Sequence, residues 1–272
     1  MSTPSGTGPA KIRLRHLQDA KERGRPFAML TAYDQFSARV FEEAGIEVLL
    51  VGDSVGTTVL GHESTTATTH QDMLTFTGAV ARSVSRPLIV ADLAFGSYQV
   101  SVEEAVRHGV DLIRAGAEMV KLEGGSAIAP QVRALVAAGI PVMGHLGFTP
   151  QSVNSLSGHR VQGRDTHAAD RLAEEALALQ EAGASAVVLE LIPAHVAERI
   201  TEVLHVPTIG IGAGPACDGQ VLVWQDMAGL SGFHGRFVKT FADLRSDLRR
   251  AAEAYRGEVE TRAYPTAEHS FE

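Results

Sequence analysis

Residues Val48 to Ser54 read VLLVGDS, an unbroken apolar run that ends abruptly at the acidic residue Asp53. A strand that is apolar on both faces is typical of a parallel sheet covered on both sides. The run therefore predicts a buried strand with Asp53 at its carboxyl end, where α/β folds place their active sites. An acid at that point also suits a turn or a helix cap, so its meaning depends on how the other strands end.

A short sequence pattern recurs four times along the chain. In each case a predicted helix ends in Ala-Gly, and an apolar run follows within a few residues. A glycine just beyond a helix adopts the left-handed conformation that ends the helix, after which the chain enters a buried strand. We therefore interpret each occurrence as a connection, or joint, between a helix and the strand that follows it. The four joints are Ala44-Gly45 before VLLVGD, Ala115-Gly116 before EMVKLEG, Ala138-Gly139 before IPVMGHLG and Ala182-Gly183 before AVVLEL.

Eight apolar runs of strand length follow one another, and helical patterns separate most of them. The runs outside the four joints are FAMLT at 27–31, LIVAD at 88–92, PTIGIG at 207–212 and QVLVW at 220–224. Eight βα units in 272 residues predict the α/β class and a single (β/α)8 TIM barrel, with an N-terminal helix at 11–23 and a polar C-terminal extension at 255–272. An open doubly wound sheet is the alternative, because only AGPACDG separates the last two runs.

Composition argues against several classes of protein. The formal net charge is −8 and no run is rich in Lys or Arg, so we expect no nucleic acid partner. No apolar run has the length of a membrane span, and residues 1–10 lack the pattern of a secretory signal. Cys217 is the only cysteine, which rules out an intrachain disulfide and favours a cytoplasmic location. We expect residues 1–10 to form a mobile tail and residues 11–272 one catalytic domain.

Ionisable residues end five successive predicted strands, at the edge where the carboxyl ends of parallel strands meet. They are Asp53, Asp92, Glu123, His145 and Glu190. The period-two alternation of a strand places Lys121 on the same side as Glu123. Each residue by itself suits a helix cap or a partner for a loop arginine. Together they would gather uncompensated charge in one cavity, which is energetically costly.

Two features complete the predicted site. A divalent cation would resolve the conflict of charges, because Asp53, Asp92 and Glu123 offer the oxygen ligands that Mg²⁺ prefers and that Mn²⁺ or another divalent cation also accepts. In addition, Gly147–Gly163 follows the fifth strand as a long loop without apolar periodicity. Such a segment is typical of a lid or a substrate-binding loop.

Ten motifs follow one another in order over nearly the whole chain. They are TAYD at 31–34, VGDSVG at 51–56, GHEST at 61–65, DLAFGSY at 92–98, MVKLEGG at 119–125, GHLGFTPQS at 144–152, VQGR at 161–164, GIGAG at 210–214, DGQVLV at 218–223 and EHSF at 268–271. This series resembles the 3-methyl-2-oxobutanoate hydroxymethyltransferase (ketopantoate hydroxymethyltransferase) family. The resemblance implies a (β/α)8 barrel enzyme that forms a homo-oligomer, commonly a decamer.

The resemblance also implies a reaction and its residues. The family transfers a hydroxymethyl group from 5,10-methylenetetrahydrofolate to 3-methyl-2-oxobutanoate, through a Mg²⁺-stabilised enolate, and forms 2-dehydropantoate for pantothenate and coenzyme A biosynthesis. By this resemblance Glu190 matches the proton acceptor, and the magnesium-associated acids are Asp53, Asp92 and Glu123. The positions around the oxo acid are Asp53, Ser54, Asp92, Lys121 and His145.

Two other functions are alternatives at the level of sequence. A lyase or mutase of the phosphoenolpyruvate and isocitrate lyase type would use a similar barrel, Mg²⁺ and an enolate. Many such lyases carry a loop cysteine in a KKCGH-like motif, which this chain lacks. A noncatalytic 2-oxo-acid-binding protein is the second alternative, and replacement of the base or of a metal acid would be its signature. Asp53, Asp92, Glu123 and Glu190 are all present.

Overall fold

Eight parallel strands form a closed barrel in the computed structural model, which describes residues 10–156, 158 and 160–271. The strands are β1 (Phe27–Thr31), β2 (Val48–Val51), β3 (Leu88–Asp92), β4 (Met119–Glu123), β5 (Val142–Gly147), β6 (Ala186–Glu190), β7 (Thr208–Ile211) and β8 (Gly219–Leu222). Each strand pairs with the next, and β8 pairs with β1 through Gly219 and Phe27. The predicted (β/α)8 barrel is confirmed, and the open-sheet alternative is wrong because the first and last strands are paired.

Helices alternate with most of the strands. In the barrel they are α1 (Leu14–Glu22), α2 (Gln35–Glu43), α3 (Val55–Thr58), α4 (His70–Ala81), α5 (Val102–Ala115), α6 (Ala129–Ala137), α7 (Thr166–Glu181) and α8 (Ala194–Val203). The loop 212–218 joins β7 to β8 without a helix, and the two strands still pair within the barrel. Apart from Ala10, the tail predicted at 1–10 lies outside the described residues.

Helix α1 closes the amino-terminal end of the barrel. Leu17 and Ala20 of this helix are almost fully buried and belong to one hydrophobic cluster with Met29 and Val48. The cluster also contains Ile12, Phe27, Leu50, Leu88, Val90, Met119, Met143, Ala186, Val188, Ile209 and Val221. Since side chains two residues apart on a strand share a face, these residues fill the barrel interior. The ionisable residues therefore collect at the opposite, carboxyl end.

Gly116 shows why an Ala-Gly joint ends a helix. It follows α5 with φ +115°, and its N–H donates a hydrogen bond to Ile113 O. A Cβ at this position would lie 2.4 Å from the Cβ of Ala81 in α4. Glycine is therefore needed both for the left-handed conformation and for the close approach of the two helices. The chain then enters β4 at Met119.

Residues 223–272 form a second compact unit, which contains α9 (Trp224–Met227) and α10 (Leu244–Glu260). Asp243 begins α10 by accepting a hydrogen bond of 3.3 Å from the Ser246 N–H. The polar extension predicted at 255–272 thus starts inside a helix, which continues to Glu260. In the described part of the chain, no helix is long and apolar enough to cross a membrane.

Candidate active site

The ionisable residues predicted at the strand ends lie on neighbouring strands in matching register. Asp92 of β3 lies opposite Lys121 of β4, and Glu123 of β4 lies opposite His145 of β5. Glu190 ends β6 at the same level, opposite the last residue of β5. Because opposed residues of a parallel sheet point to the same face, this register brings the side chains together at the carboxyl end of the barrel.

Three buried carboxylates form what we call the acid cluster: Asp53, Asp92 and Glu123. Each is at most 5% exposed. The Asp53 backbone N–H donates a hydrogen bond of 3.0 Å to Asp92 Oδ2, and the ammonium of Lys121 lies 3.2 Å from Asp92 Oδ1. Lys121 is itself 4% exposed. A single lysine charge therefore faces three carboxylates inside the cluster.

Burial and the short distances between these charged groups shift their pKa values. Burial, together with the charges of Asp92 and Glu123, raises the pKa of Asp53 well above its usual range. Burial also raises the pKa of Asp92, although Lys121 and the Asp53 N–H oppose this rise. Burial disfavours the charged form of Lys121, but the carboxylates, Asp92 first, outweigh it and raise the pKa of the ammonium. The cluster therefore holds more negative charge than its lysine can neutralise.

His145 connects the acid cluster to Glu190. Its Nδ1 lies 3.4 Å from Glu123 Oε1 and 3.3 Å from the Lys121 ammonium, and its Nε2 lies 3.2 Å from Glu190 Oε2. Burial and Lys121 oppose protonation of the ring, but the carboxylates of Glu123 and Glu190 outweigh them and raise its pKa to about 9. Burial would raise the pKa of Glu123, but His145 and Lys121 lower it.

An uncommon backbone conformation fixes Glu190 at the end of β6. Leu191, the next residue, has φ +48°, in the left-handed region that leucine rarely adopts. Its N–H donates to Ile211 O and its carbonyl accepts from the Gln162 N–H, both at 2.9 Å, so hydrogen bonds hold the strained residue in place. On the neighbouring strand a Cβ at Gly147 would lie 2.1 Å from Glu190 O. Only glycine allows this approach of β5 to β6.

Ser54, the predicted substrate residue next to Asp53, is held by the side chain of Tyr33. Its Oγ lies 2.7 Å from the hydroxyl of Tyr33. Tyr33 is 2% exposed, and burial raises the pKa of its phenol to about 12, which keeps it a neutral hydrogen-bonding group. The Thr68 hydroxyl donates to Asp53 O at 2.8 Å. The segment from Asp53 to Ser54 is therefore fixed from both sides.

Two residues that sequence reasoning did not single out belong to the same site. Gln151, in the loop after β5, is 5% exposed and donates from Nε2 to Asp53 Oδ2 at 2.9 Å. Its backbone N–H donates to Glu123 Oε2, also at 2.9 Å. The hydroxyl of Tyr98, which follows β3, lies 2.8 Å from Gln151 Oε1. Both residues stand inside motifs quoted above, GHLGFTPQS and DLAFGSY, which was the available signal.

The acid cluster suits a divalent cation that keeps part of its water shell. Asp92 Oδ1 lies 3.2 Å from Lys121 Nζ, and Glu123 Oε1 lies 3.4 Å from His145 Nδ1. Neither buried oxygen has a well-aligned hydrogen-bond donor among the residues that the structure describes, so each can accept a further ligand. Within the same residues, no three His, Cys, Asp or Glu side chains are arranged to enclose a metal ion directly. Mg²⁺ commonly retains several waters and uses one or two carboxylates together with its substrate, which matches this donor set.

Solved structures of other proteins share the fold at low sequence identity. Phosphonopyruvate hydrolase in complex with oxalate and Mg²⁺ superimposes with a TM-score of 0.62 and 14% identity, covering 94% of this chain and 92% of that one. For 2,3-dimethylmalate lyase, a member of the phosphoenolpyruvate mutase/isocitrate lyase superfamily, the TM-score is 0.60 and the identity 16%, covering 95% and 91%. These similarities support the barrel fold and nothing further.

Sequence relatives are much closer. The family model described as ketopantoate hydroxymethyltransferase matches residues 11–267. Proteins named 3-methyl-2-oxobutanoate hydroxymethyltransferase from Arthrobacter sp. (strain FB24) and Rhodococcus jostii (strain RHA1) are each 54% identical to this chain, over 275 and 273 residues. The alignments cover 99% of this chain and 91% and 94% of the relatives. This chain therefore belongs to the ketopantoate hydroxymethyltransferase family of transferase enzymes.

Proposed function

We propose that this enzyme transfers a hydroxymethyl group from 5,10-methylenetetrahydrofolate to 3-methyl-2-oxobutanoate and forms 2-dehydropantoate, a precursor of pantothenate and coenzyme A. Family membership supports the transferase activity. The observation that carries the chemistry is the contiguous set of groups from the buried acid cluster through Lys121 and His145 to the half-buried Glu190. This set combines sites for a cation, a substrate anion and a base within contact distance of one another.

The acid cluster would hold the divalent cation, Mg²⁺ or in its place Mn²⁺. When bound, the cation would supply a Lewis acid for the keto oxygen of the substrate. Two observations support this assignment. The pKa of Asp53 is raised, and one buried oxygen each of Asp92 and Glu123 has an ion-pair contact but no well-aligned hydrogen-bond donor in the described chain. A positive charge at the cluster would relieve both.

Lys121 and Ser54 would bind the carboxylate of the oxo acid, with Asp53, Asp92 and His145 around it. The Lys121 ammonium stays charged because the neighbouring carboxylates raise its pKa. Removal of a proton from the carbon beside the ketone adds negative charge to the substrate. A buried ammonium stabilises such charge more strongly than water does, because its position is fixed before the reaction begins.

Glu190 would remove that proton. Its side chain is 15% exposed, against 5% or less for those of Lys121, Glu123 and His145, so it can return the proton to water after turnover. His145 lies within 3.2 Å and orients the carboxylate. The carbon that has lost its proton then attacks the one-carbon unit of the folate. Water supplies the hydroxyl oxygen as the bond between the one-carbon unit and the folate nitrogen breaks, and the nitrogen takes up a proton as tetrahydrofolate leaves.

An assay with the purified full chain tests this function. Incubation with 3-methyl-2-oxobutanoate, methylenetetrahydrofolate and Mg²⁺ should give 2-dehydropantoate, detected by mass spectrometry. EDTA should abolish product formation, and added Mg²⁺ or Mn²⁺ should restore it. Absence of product under these conditions would overturn the proposal. Binding of the oxo acid without turnover would favour the noncatalytic alternative, and cleavage of a carbon–carbon bond would favour the lyase.

We also infer a cytoplasmic homo-oligomer, a decamer by resemblance to the family. The lone Cys217 supports a reducing compartment. Large apolar side chains of α10, including Leu248 at 59% and Tyr255 at 62% exposure, support an interface between subunits. Light scattering after gel filtration should give a mass about tenfold that of the 28.9 kDa chain. A monomeric mass would contradict this inference.

A further inference from the structure

Gln151 enters the acid cluster with every hydrogen-bonding group of its side chain engaged. Its two amide hydrogens have acceptors in Asp53 Oδ2 at 2.9 Å and Leu93 O at 3.0 Å. Its Oε1 lies 2.8 Å from the Tyr98 hydroxyl and 3.2 Å from Gln99 Nε2. A flipped amide would turn its oxygen toward two acceptors, so the surroundings allow a single orientation.

The backbone of Gln151 holds a second carboxylate. Its N–H donates to Glu123 Oε2 at 2.9 Å, while Glu123 Oε1 lies 3.4 Å from His145 Nδ1 without a well-aligned hydrogen bond in the described chain. The Tyr98 hydroxyl secures the same glutamate, because it accepts a hydrogen bond of 3.1 Å from the Glu123 N–H. One loop residue therefore holds a single oxygen of each of two acids that come from different strands, Asp53 after β2 and Glu123 in β4.

This arrangement matters for the choice of cation. Like-charged carboxylates turn away from one another unless hydrogen bonds hold them. A carboxylate with one oxygen held can offer its other oxygen, whereas a freely turning carboxylate can offer both. Mg²⁺ demands near-ideal octahedral geometry and keeps several waters, while Ca²⁺ takes six to eight oxygens and accepts bidentate carboxylates. Hydrogen bonds that orient ligands in this way commonly change metal affinity about 10–100-fold.

We propose that Gln151 is a positioning residue of the cation site, which holds one oxygen each of Asp53 and Glu123 and thereby presets the acid cluster for Mg²⁺ over Ca²⁺. The proposal rests on the proposed function, because it requires that the acid cluster bind a divalent cation.

Calorimetric titration of the metal-stripped full chain with Mg²⁺ alone, and separately with Ca²⁺ alone, tests this role without substrates. The variant Gln151→Met keeps the backbone N–H and the length of the side chain but removes the amide. We expect its Kd for Mg²⁺ to rise about 10–100-fold. Its affinity for Ca²⁺ should fall by a smaller factor, because the released Asp53 carboxylate can turn to offer both oxygens.

Gln131→Met is the matched control. Gln131 is half-buried and donates to Tyr98 O at 3.3 Å, so it contacts the same tyrosine without a hydrogen bond to the acid cluster. Its Mg²⁺ affinity should equal that of the parent. Parent-like Mg²⁺ binding by Gln151→Met would overturn the proposal. Equal losses for Mg²⁺ and Ca²⁺, or an equal loss in both Gln variants, would also overturn it, because each would indicate a general structural effect.

Tyr98→Phe decides the question if Gln151→Met does not fold. It removes the hydroxyl that contacts Gln151 Oε1 and should weaken Mg²⁺ binding several-fold and Ca²⁺ binding by a smaller factor. An unchanged ratio of the two affinities would overturn the proposal. Turnover by the parent separates the two levels of inference. If the parent is active and Mg²⁺-dependent but substitution of Gln151 leaves its Mg²⁺ affinity unchanged, only the positioning role is overturned. A parent that neither binds Mg²⁺ nor forms product would overturn the proposed function as well.

Discussion

The two ends of the barrel differ in how completely their charged side chains are paired. At the amino-terminal end, lysines and carboxylates form complete pairs. Lys11 Nζ lies 2.7 Å from Glu118 Oε2. Lys21 Nζ lies 3.0 Å from Asp218 Oδ2 and donates to Thr201 O at 2.8 Å. Both ammonium groups therefore have a carboxylate partner, and the pairs connect the N-terminal segment to the residues that precede β4 and β8.

At the carboxyl end the charges do not balance. Lys121 and His145 are the cationic neighbours of the three acids of the cluster and of Glu190. Two oxygens of the cluster lack a well-aligned donor among the described residues, and the pKa of Asp53 is raised. Such an arrangement costs stability. The difference indicates that the amino-terminal end is built for stability, whereas the carboxyl end leaves charge unsatisfied until a ligand binds.

Lys121→Met should have the largest effect on stability. It removes the buried ammonium from three carboxylates, so we expect the free energy of unfolding of the metal-free protein to fall by about 3–5 kcal/mol. Added Mg²⁺ should recover part of this loss, because the cation replaces the missing charge. Urea unfolding with EDTA and with Mg²⁺ measures both effects. A loss that Mg²⁺ does not change would contradict a shared charge site.

Lys21→Met is the corresponding change at the other end. Lys21 and Asp218 have side chains that are 15% and 13% exposed, so solvent screens the unpaired aspartate in part. We expect a loss of about 2 kcal/mol in the same urea experiment. Mg²⁺ should leave this loss unchanged, and the turnover rate should equal that of the parent. If Mg²⁺ restored the free energy of unfolding of Lys21→Met, the two ends would not differ in their response to the cation.

Asp53→Asn should stabilise the metal-free protein by about 1 kcal/mol, since it removes a buried charge that its neighbours repel. The pKa of Asp53 is higher in the folded than in the unfolded chain. Its contribution to stability is therefore present below the unfolded pKa and is lost as pH rises through the folded pKa. The advantage of the variant should grow from pH 5 to pH 8 in EDTA. A stability gain that decreases as pH rises would contradict a raised pKa of Asp53 in the folded protein.

Glu42→Gln should have the smallest effect. Glu42 Oε1 accepts hydrogen bonds from the N–H groups of Ser85 and Arg86 at the amino-terminal end. Partial burial opposes ionisation, but these bonds outweigh it and lower the pKa of the carboxyl. Its contribution is present above the unfolded pKa and is lost as pH falls through the folded pKa. Because solvent screens this partly exposed carboxylate, we expect a loss of about 0.5 kcal/mol at pH 7, which vanishes in acid; a loss that persists there would contradict the pKa direction.

Local signals were sufficient to predict the fold and most of the candidate site. VLLVGDS predicted a buried strand, and β2 is buried at all four positions from Val48 to Val51. Period-two alternation placed Lys121 beside Glu123, and both side chains are buried and contact His145. These predictions succeeded because strand direction and side-chain alternation are set within a few residues.

Long-range contacts were beyond sequence reasoning. Gln151 bonds Asp53 across 98 positions in the chain, and nothing in a polar loop residue indicates which distant carboxylate it will meet. Helix α10 was missed for another reason. Leu248, Tyr255 and Val259 recur at helical spacing, but many charged residues lie between them and none of the helix is buried. Its charged residues favoured an extension without regular structure.

The most direct test of the central claim, that the carboxyl end is the reactive end and Glu190 its base, is hydrogen exchange at the carbon beside the ketone. Proton NMR of 3-methyl-2-oxobutanoate in D₂O with Mg²⁺ follows this exchange without the folate. The parent and Glu118→Gln, a variant of the amino-terminal end, should exchange at the same rate. Glu190→Gln should be slower by about 10²–10⁴-fold. Exchange by Glu190→Gln at the parent rate would contradict the claim.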